Sequence, residues 1–142
     1  MGYVHRDLKP DNVVLTLVPL KIAIIDFERV CLDSDSGRDS TMGTPGYFPD
    51  NGLIRDGSFT WDKWAFAAMV LEADMPVGVY KQINTQIDAQ DAAKKHINKK
   101  DTCRKLVQML KDTIMLDNLN EMLSISQMIE LIVDMKFKRY GK

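Results

Sequence analysis

Hydrophobic positions gather into a few separated blocks along the 142 residues. Residues 13–16 and 21–26 are rich in Val, Leu and Ile. The Leu17-Val18-Pro19-Leu20 link between them carries a proline expected to break pairing there. This spacing predicts two short strands forming a β-hairpin. Residues 29–60 are instead dense in Asp, Ser, Gly and Pro, with no helical period. A loop of that length inside a compact domain is uncommon and usually carries function. Residues 61–73 are apolar on every face, through Trp64, Phe66, Met69, Val70 and Leu71, which predicts a helix buried all round. Beyond Pro76 lie an amphipathic stretch over 79–87 and a basic polar stretch reaching Lys100. A helix is expected over 102–116, with Asp101 as its N-cap. A last helix over about 124–137 sets Ile125, Met128, Ile129, Ile132 and Val133 on one face. The expected fold class is mainly α with a short β-hairpin, in one domain.

Composition narrows the partners more than the fold. With 45% hydrophobic and 27% charged residues and a formal net charge of −1, the chain has the balance of a globular domain. That balance offers no electrostatic case for nucleic acid or an anionic membrane. The longest mostly apolar run, 65–73, is too short to span a bilayer. Met1 runs into polar residues within six positions, so no secretion signal is expected, and Arg6 stands where a myristoylation pattern wants Ser or Thr. Cys31 and Cys103 lack metal-ligand spacing and read as reduced thiols of a cytoplasmic protein. The nine methionines read as core filler, and His96 and the Lys94, Lys95, Lys99, Lys100, Arg104 and Lys105 cluster as solvated surface.

The chemistry concentrates in four segments. His5-Arg6-Asp7-Leu8-Lys9-Pro10-Asp11-Asn12 opens the chain, and Ile25-Asp26-Phe27-Glu28 ends the second strand. Gly43-Thr44-Pro45-Gly46-Tyr47-Phe48-Pro49-Asp50 closes the long loop, and Trp61-Asp62-Lys63-Trp64-Ala65-Phe66-Ala67 begins the buried helix. Together they resemble the catalytic loop, metal-binding segment, substrate loop and central helix of the C-terminal lobe of eukaryotic-type serine/threonine protein kinases. The resemblance is strong through Trp64 and loose afterwards.

It implies that Asp7 accepts the substrate hydroxyl's proton, that Lys9 contacts the transferred phosphate, and that Asn12 and Asp26 hold Mg²⁺ alongside ATP. Thr44 and Gly46 would shape the substrate loop, and His5, Arg6 and Asp62 would hold the catalytic loop in place. Ser34, Ser36, Ser40 and Thr41 fall in the stretch that corresponds to an activation segment. Ser40 and Thr41 are the candidate phosphosites, with Arg6 as the pairing cation. Glu28 stands where the family has Gly, which places an extra carboxylate near the metal and bears on how that segment moves. Phe48 and Asp50 replace Ala and Glu. Met122-Leu123-Ser124 occupies the place of the family's Arg, so Asp50 would be solvated or paired anew.

No glycine-rich loop, Val-Ala-x-Lys strand, αC glutamate or hinge precedes His5. The resemblance therefore implies an incomplete kinase-like C-lobe holding half of an ATP site: catalytic loop and metal-binding hairpin over 1–28, activation and substrate loop over 29–50, and helical lobe over 61–142. The central helix is expected to leave apolar surface uncovered. The function implied is phosphoryl transfer from ATP to a protein Ser/Thr hydroxyl when an N-terminal lobe is supplied. The alternative is an inactive pseudokinase that binds a regulatory protein partner, and a small-molecule phosphotransferase ranks behind both.

Overall fold

The computed structural model describes residues 2–33, 43–49 and 58–133. Among the described residues lie four strands and four α-helices: β1 (Tyr3–Val4), β2 (Val13–Leu17), β3 (Leu20–Ile24), β4 (Cys31–Leu32), α1 (Phe59–Ala73), α2 (Gln86–Ile97), α3 (Arg104–Lys111) and α4 (Ile125–Ile132), with short 3-10 turns between them. Mainly α with small antiparallel sheets is the observed class.

The expected hairpin is β2–β3, paired from Val13↔Ile24 to Leu17↔Leu20. Pairing runs one residue further than the proline suggested. Pro19 sits in the two-residue turn, where its missing N–H is not needed, and its carbonyl accepts from the Thr16 hydroxyl at 3.0 Å. A second sheet, β1 with β4, went unforeseen. Its strands are two residues each and lie far apart in sequence, so neither carries a periodic signal.

Helix α1 is the spine. Ser58 caps it by accepting from the Thr60 N–H, and Trp64, Ala67, Ala68 and Leu71 have no exposed surface. Around it Leu106, Met109 and Leu110 of α3, Met128 of α4, Ile114 and Tyr80 close the core. Met109, Met122 and Met128 are buried there, as core filler should be.

Three expectations change in this region. The stretch taken as basic and polar forms α2, started by a capping box in which Thr85 and Asp88 satisfy each other's backbone N–H. Its buried face is Gln86, Ala89, Ala93 and His96, small or polar residues that make no hydrophobic stripe. Helix α3 starts at Arg104 after Cys103, and Asp101 lies in the preceding turn rather than at the cap. Turns occupy that connection: the Thr102 hydroxyl and the Lys99 N–H both donate to the His96 carbonyl. His96 is not surface. It is 1% exposed, and its Nε2 lies 2.7 Å from Asp74 Oδ2.

Helix α4 begins where expected, with Ser124 and Gln127 forming a capping box. Its expected end, its continuation to 137, and the residues Ser34, Ser36, Ser40, Thr41 and Asp50 lie outside the described residues. Among the described residues, no helix is long and apolar enough to cross a membrane, and Cys31 and Cys103 are free thiols.

Candidate active site

The loop between β1 and β2 cannot be built from ordinary backbone alone. Arg6 adopts a left-handed conformation, φ 66°, which costs a non-glycine residue about 1 kcal/mol or more. Asp62, in the first turn of α1, compensates. Its buried carboxylate accepts from the His5 N–H at 2.8 Å and the Arg6 N–H at 3.0 Å, across more than fifty residues of sequence. Burial pushes the Asp62 carboxyl above the usual range, and the two backbone donors offset only part of that.

This brace presents Asp7. Thr44 donates its hydroxyl to Asp7 Oδ1 at 2.7 Å, and Lys9 Nζ donates to Oδ2 at 3.2 Å. Lys9 also donates to the Thr44 hydroxyl oxygen at 2.8 Å, closing a triangle between the 5–12 loop and the 43–49 segment. Asn12 Nδ2 donates to the Asp7 carbonyl at 2.8 Å and lies 3.4 Å from Oδ2. Burial alone would raise the Asp7 pKa. The hydrogen bonds from Thr44 and Lys9, and then the charges of Lys9 and Arg29, outweigh it and hold the carboxyl below its ordinary value.

The segment after β3 is tied to this loop at several points. The Ile25 N–H donates to the Asn12 carbonyl at 3.0 Å. The Asp7 nitrogen lies 3.4 Å from His5 Nδ1, and His5 Nε2 lies 3.1 Å from the Ile25 carbonyl. The Phe27 ring packs on the imidazole, with centroids 5.5 Å apart. Arg6 Nε donates to the Arg29 carbonyl, and Arg29 Nη1 reaches to 3.8 Å from Asp7 Oδ1. Asp26 stands one residue beyond the Asn12 pairing, exposed and left-handed at φ 65°. Its carboxylate bonds to no described residue. Glu28 is exposed as well and has no positive φ, so its backbone in this conformation makes no demand for glycine.

The segment over 43–49 is pinned from below. Gly46 takes φ 83°, and a Cβ there would meet the Ile83 carbonyl oxygen at 2.9 Å. Its carbonyl accepts from Tyr80 Oη at 2.8 Å and from Trp64 Nε1 at 3.3 Å. The Tyr47 hydroxyl donates to Glu72 at 2.6 Å, and Phe48 stacks on Trp61 at 5.3 Å. Burial, and then the neighbouring Glu72, push the Tyr47 hydroxyl well above its ordinary value, so it remains a donor.

The structure thus brings His5, Arg6, Asp7, Lys9, Asn12, Thr44 and Asp62 into one connected network. Gly46 anchors that network two residues past Thr44, and Asp26 stands at its edge. Arg29 was not foreseen, because no spacing rule marks an arginine three residues past Asp26. Glu72, Tyr80 and the His96–Asp74 pair were missed for a related reason: each meets its partner only through the fold, and no local pattern marks it.

For a divalent cation the donor set is lean. Asn12 spends its amide nitrogen on Asp7, which leaves its side-chain oxygen, and Asp26 adds a carboxylate. Among the described residues, no group of three or more His, Cys, Asp or Glu could hold a metal ion. Two hard oxygen donors suit Mg²⁺ that arrives with phosphates and water supplying its other ligands. No protein-family model matches the chain, and no curated protein matches it either.

Proposed function

We propose that this chain is a serine/threonine kinase-like C-terminal lobe that transfers a phosphoryl group from ATP to a protein Ser or Thr hydroxyl when a nucleotide-clamping lobe is supplied. The observation that carries the reading is the triangle of Asp7, Lys9 and Thr44, braced by Asp62 and Asn12. Phosphoryl transfer needs orientation and charge compensation more than covalent help.

Asp7 is anionic at neutral pH and fixed on both oxygens, so it can orient an acceptor hydroxyl and take its proton as the new O–P bond forms. Its depressed pKa makes it a weak base, which suits a transition state where proton transfer is late and positioning dominates. Lys9 bridges Asp7 and the substrate loop and presents its ammonium to the oxygens that gain charge. Thr44 locks the substrate loop at hydrogen-bond length from the base, so loop and acceptor are aligned together. Asn12 and Asp26 would hold Mg²⁺, which supplies neutralisation of the phosphate charge when bound.

Apolar surface also supports the reading. Leu15, Leu17, Leu20 and Ile22 of the hairpin are more than half exposed. Beside them Leu8, Val13, Ile24, Phe66, Met69 and Ile125 line an open groove of about 600 Å³. A second protein element would cover this face, either the nucleotide-clamping lobe or, in the pseudokinase alternative, a regulatory partner.

Calorimetric titration with Mg²⁺-ATP, with and without an added N-terminal lobe, tests the proposal. Binding that needs Mg²⁺ and is lost in Asp26→Asn supports it. Binding that is indifferent to both, or absent even with the lobe, contradicts it.

A further inference from the structure

We propose that Arg29 is an autoinhibitory contact: its guanidinium stands beside the Asp7 oxygen that an acceptor hydroxyl needs, and it swings away before a hydroxyl docks. The inference rests on the reading of Asp7 as the acceptor's base.

A carboxylate offers about four lone-pair directions. Three hydrogen-bond donors fill three of them, Thr44 at 2.7 Å on Oδ1 and Lys9 at 3.2 Å and Asn12 at 3.4 Å on Oδ2; the direction left is on Oδ1, the oxygen that the Arg29 guanidinium approaches to 3.8 Å. An incoming hydroxyl must therefore either break one of these three bonds or take the remaining Oδ1 direction past Arg29.

The three donors are held by other partners. Lys9 and Thr44 bond each other, and Asn12 bonds the Asp7 carbonyl, so moving any of them would dismantle the loop. Arg29 differs in each respect. Its 3.8 Å separation is an ion pair beyond hydrogen-bond length, and its side chain is 33% exposed. Its backbone is held where its guanidinium is not, since the Arg29 carbonyl accepts from Arg6 Nε. The side chain can leave for water while the main chain stays in place. A partly exposed pair of this kind is weak, so the gate opens at small cost.

The test titrates the full chain by fluorescence anisotropy with two degenerate peptide libraries that differ only in a central serine or alanine. Wild type is expected to bind both alike. Arg29→Gln and Arg29→Met should bind the serine library about three- to tenfold tighter and the alanine library unchanged. Arg29→Lys should stay near wild type, and Asp7→Asn added to Arg29→Gln should erase the gain. No gain in either folded variant, or an equal gain for both libraries, overturns the gate. The two proposals fail separately. Hydroxyl-dependent gain without phosphate transfer, with the lobe supplied, keeps the gate and removes the kinase reading. Transfer that Arg29→Gln does not accelerate keeps the kinase reading and removes the gate.

Discussion

Replacing Asp62 by alanine tests whether the loop carrying Asp7 is held by one buried carboxylate. The substitution removes two charge-assisted hydrogen bonds, at 2.8 and 3.0 Å, from the N–H groups of His5 and Arg6. Such bonds contribute about 1.5–3 kcal/mol each, and the donors left behind are buried or half-buried. Losing both should cost about 3–6 kcal/mol, a large share of the 5–15 kcal/mol typical of a domain. Asp62→Asn should cost less, because the amide oxygen still accepts one bond and the charge that burial penalises is gone. Urea denaturation followed by circular dichroism measures the loss, and amide exchange at His5 and Arg6 locates it. An Asp62→Ala variant within about 1 kcal/mol of wild type, with both amides still protected, would refute the brace.

Glycine and charge substitutions elsewhere give further outcomes. Gly46→Ala should cost about 2 kcal/mol or more, since a left-handed residue would also press its Cβ on the Ile83 carbonyl. Gly78→Ala, at nearly the same φ but in open space, should cost only about 1 kcal/mol in the same thermal melt. His96→Ala leaves a cavity and removes the 2.7 Å contact with Asp74, and should destabilise by about 3 kcal/mol in urea. Asp7 has a depressed folded-state pKa. Its contribution to stability is therefore complete above the unfolded value of about 3.9 and is lost as pH falls through the folded value. An acid titration of stability should show that loss in wild type, and Asp7→Asn should lack it.

Much of the candidate site was legible because short motifs carry it with fixed spacing. Asp7, Lys9 and Asn12 lie within six residues, and Thr44 and Asp62 follow in segments of equally distinctive sequence. Helix α1 was plain because a run that is apolar on all sides has few other uses. Helix α2 was not, because Ala89, Ala93 and His96 bury a face without any large apolar residue. Polar partnerships were the least visible. His96 meets Asp74 across 22 residues and Arg29 meets Asp7 across 22, and no periodicity encodes such pairs. The β1–β4 sheet failed to announce itself for the same reason, since two-residue strands derive their structure from tertiary neighbours.

If Asp7 works in a phosphoryl-transfer site, as proposed, transfer of labelled γ-phosphate is the decisive assay. The chain, with an N-terminal kinase lobe supplied and Mg²⁺-ATP present, should label serine or threonine in a degenerate peptide library. Asp7→Asn should lower that labelling by about 100-fold or more while the protein keeps its fold. No labelling by wild type, or labelling that Asp7→Asn leaves unchanged, would contradict the account.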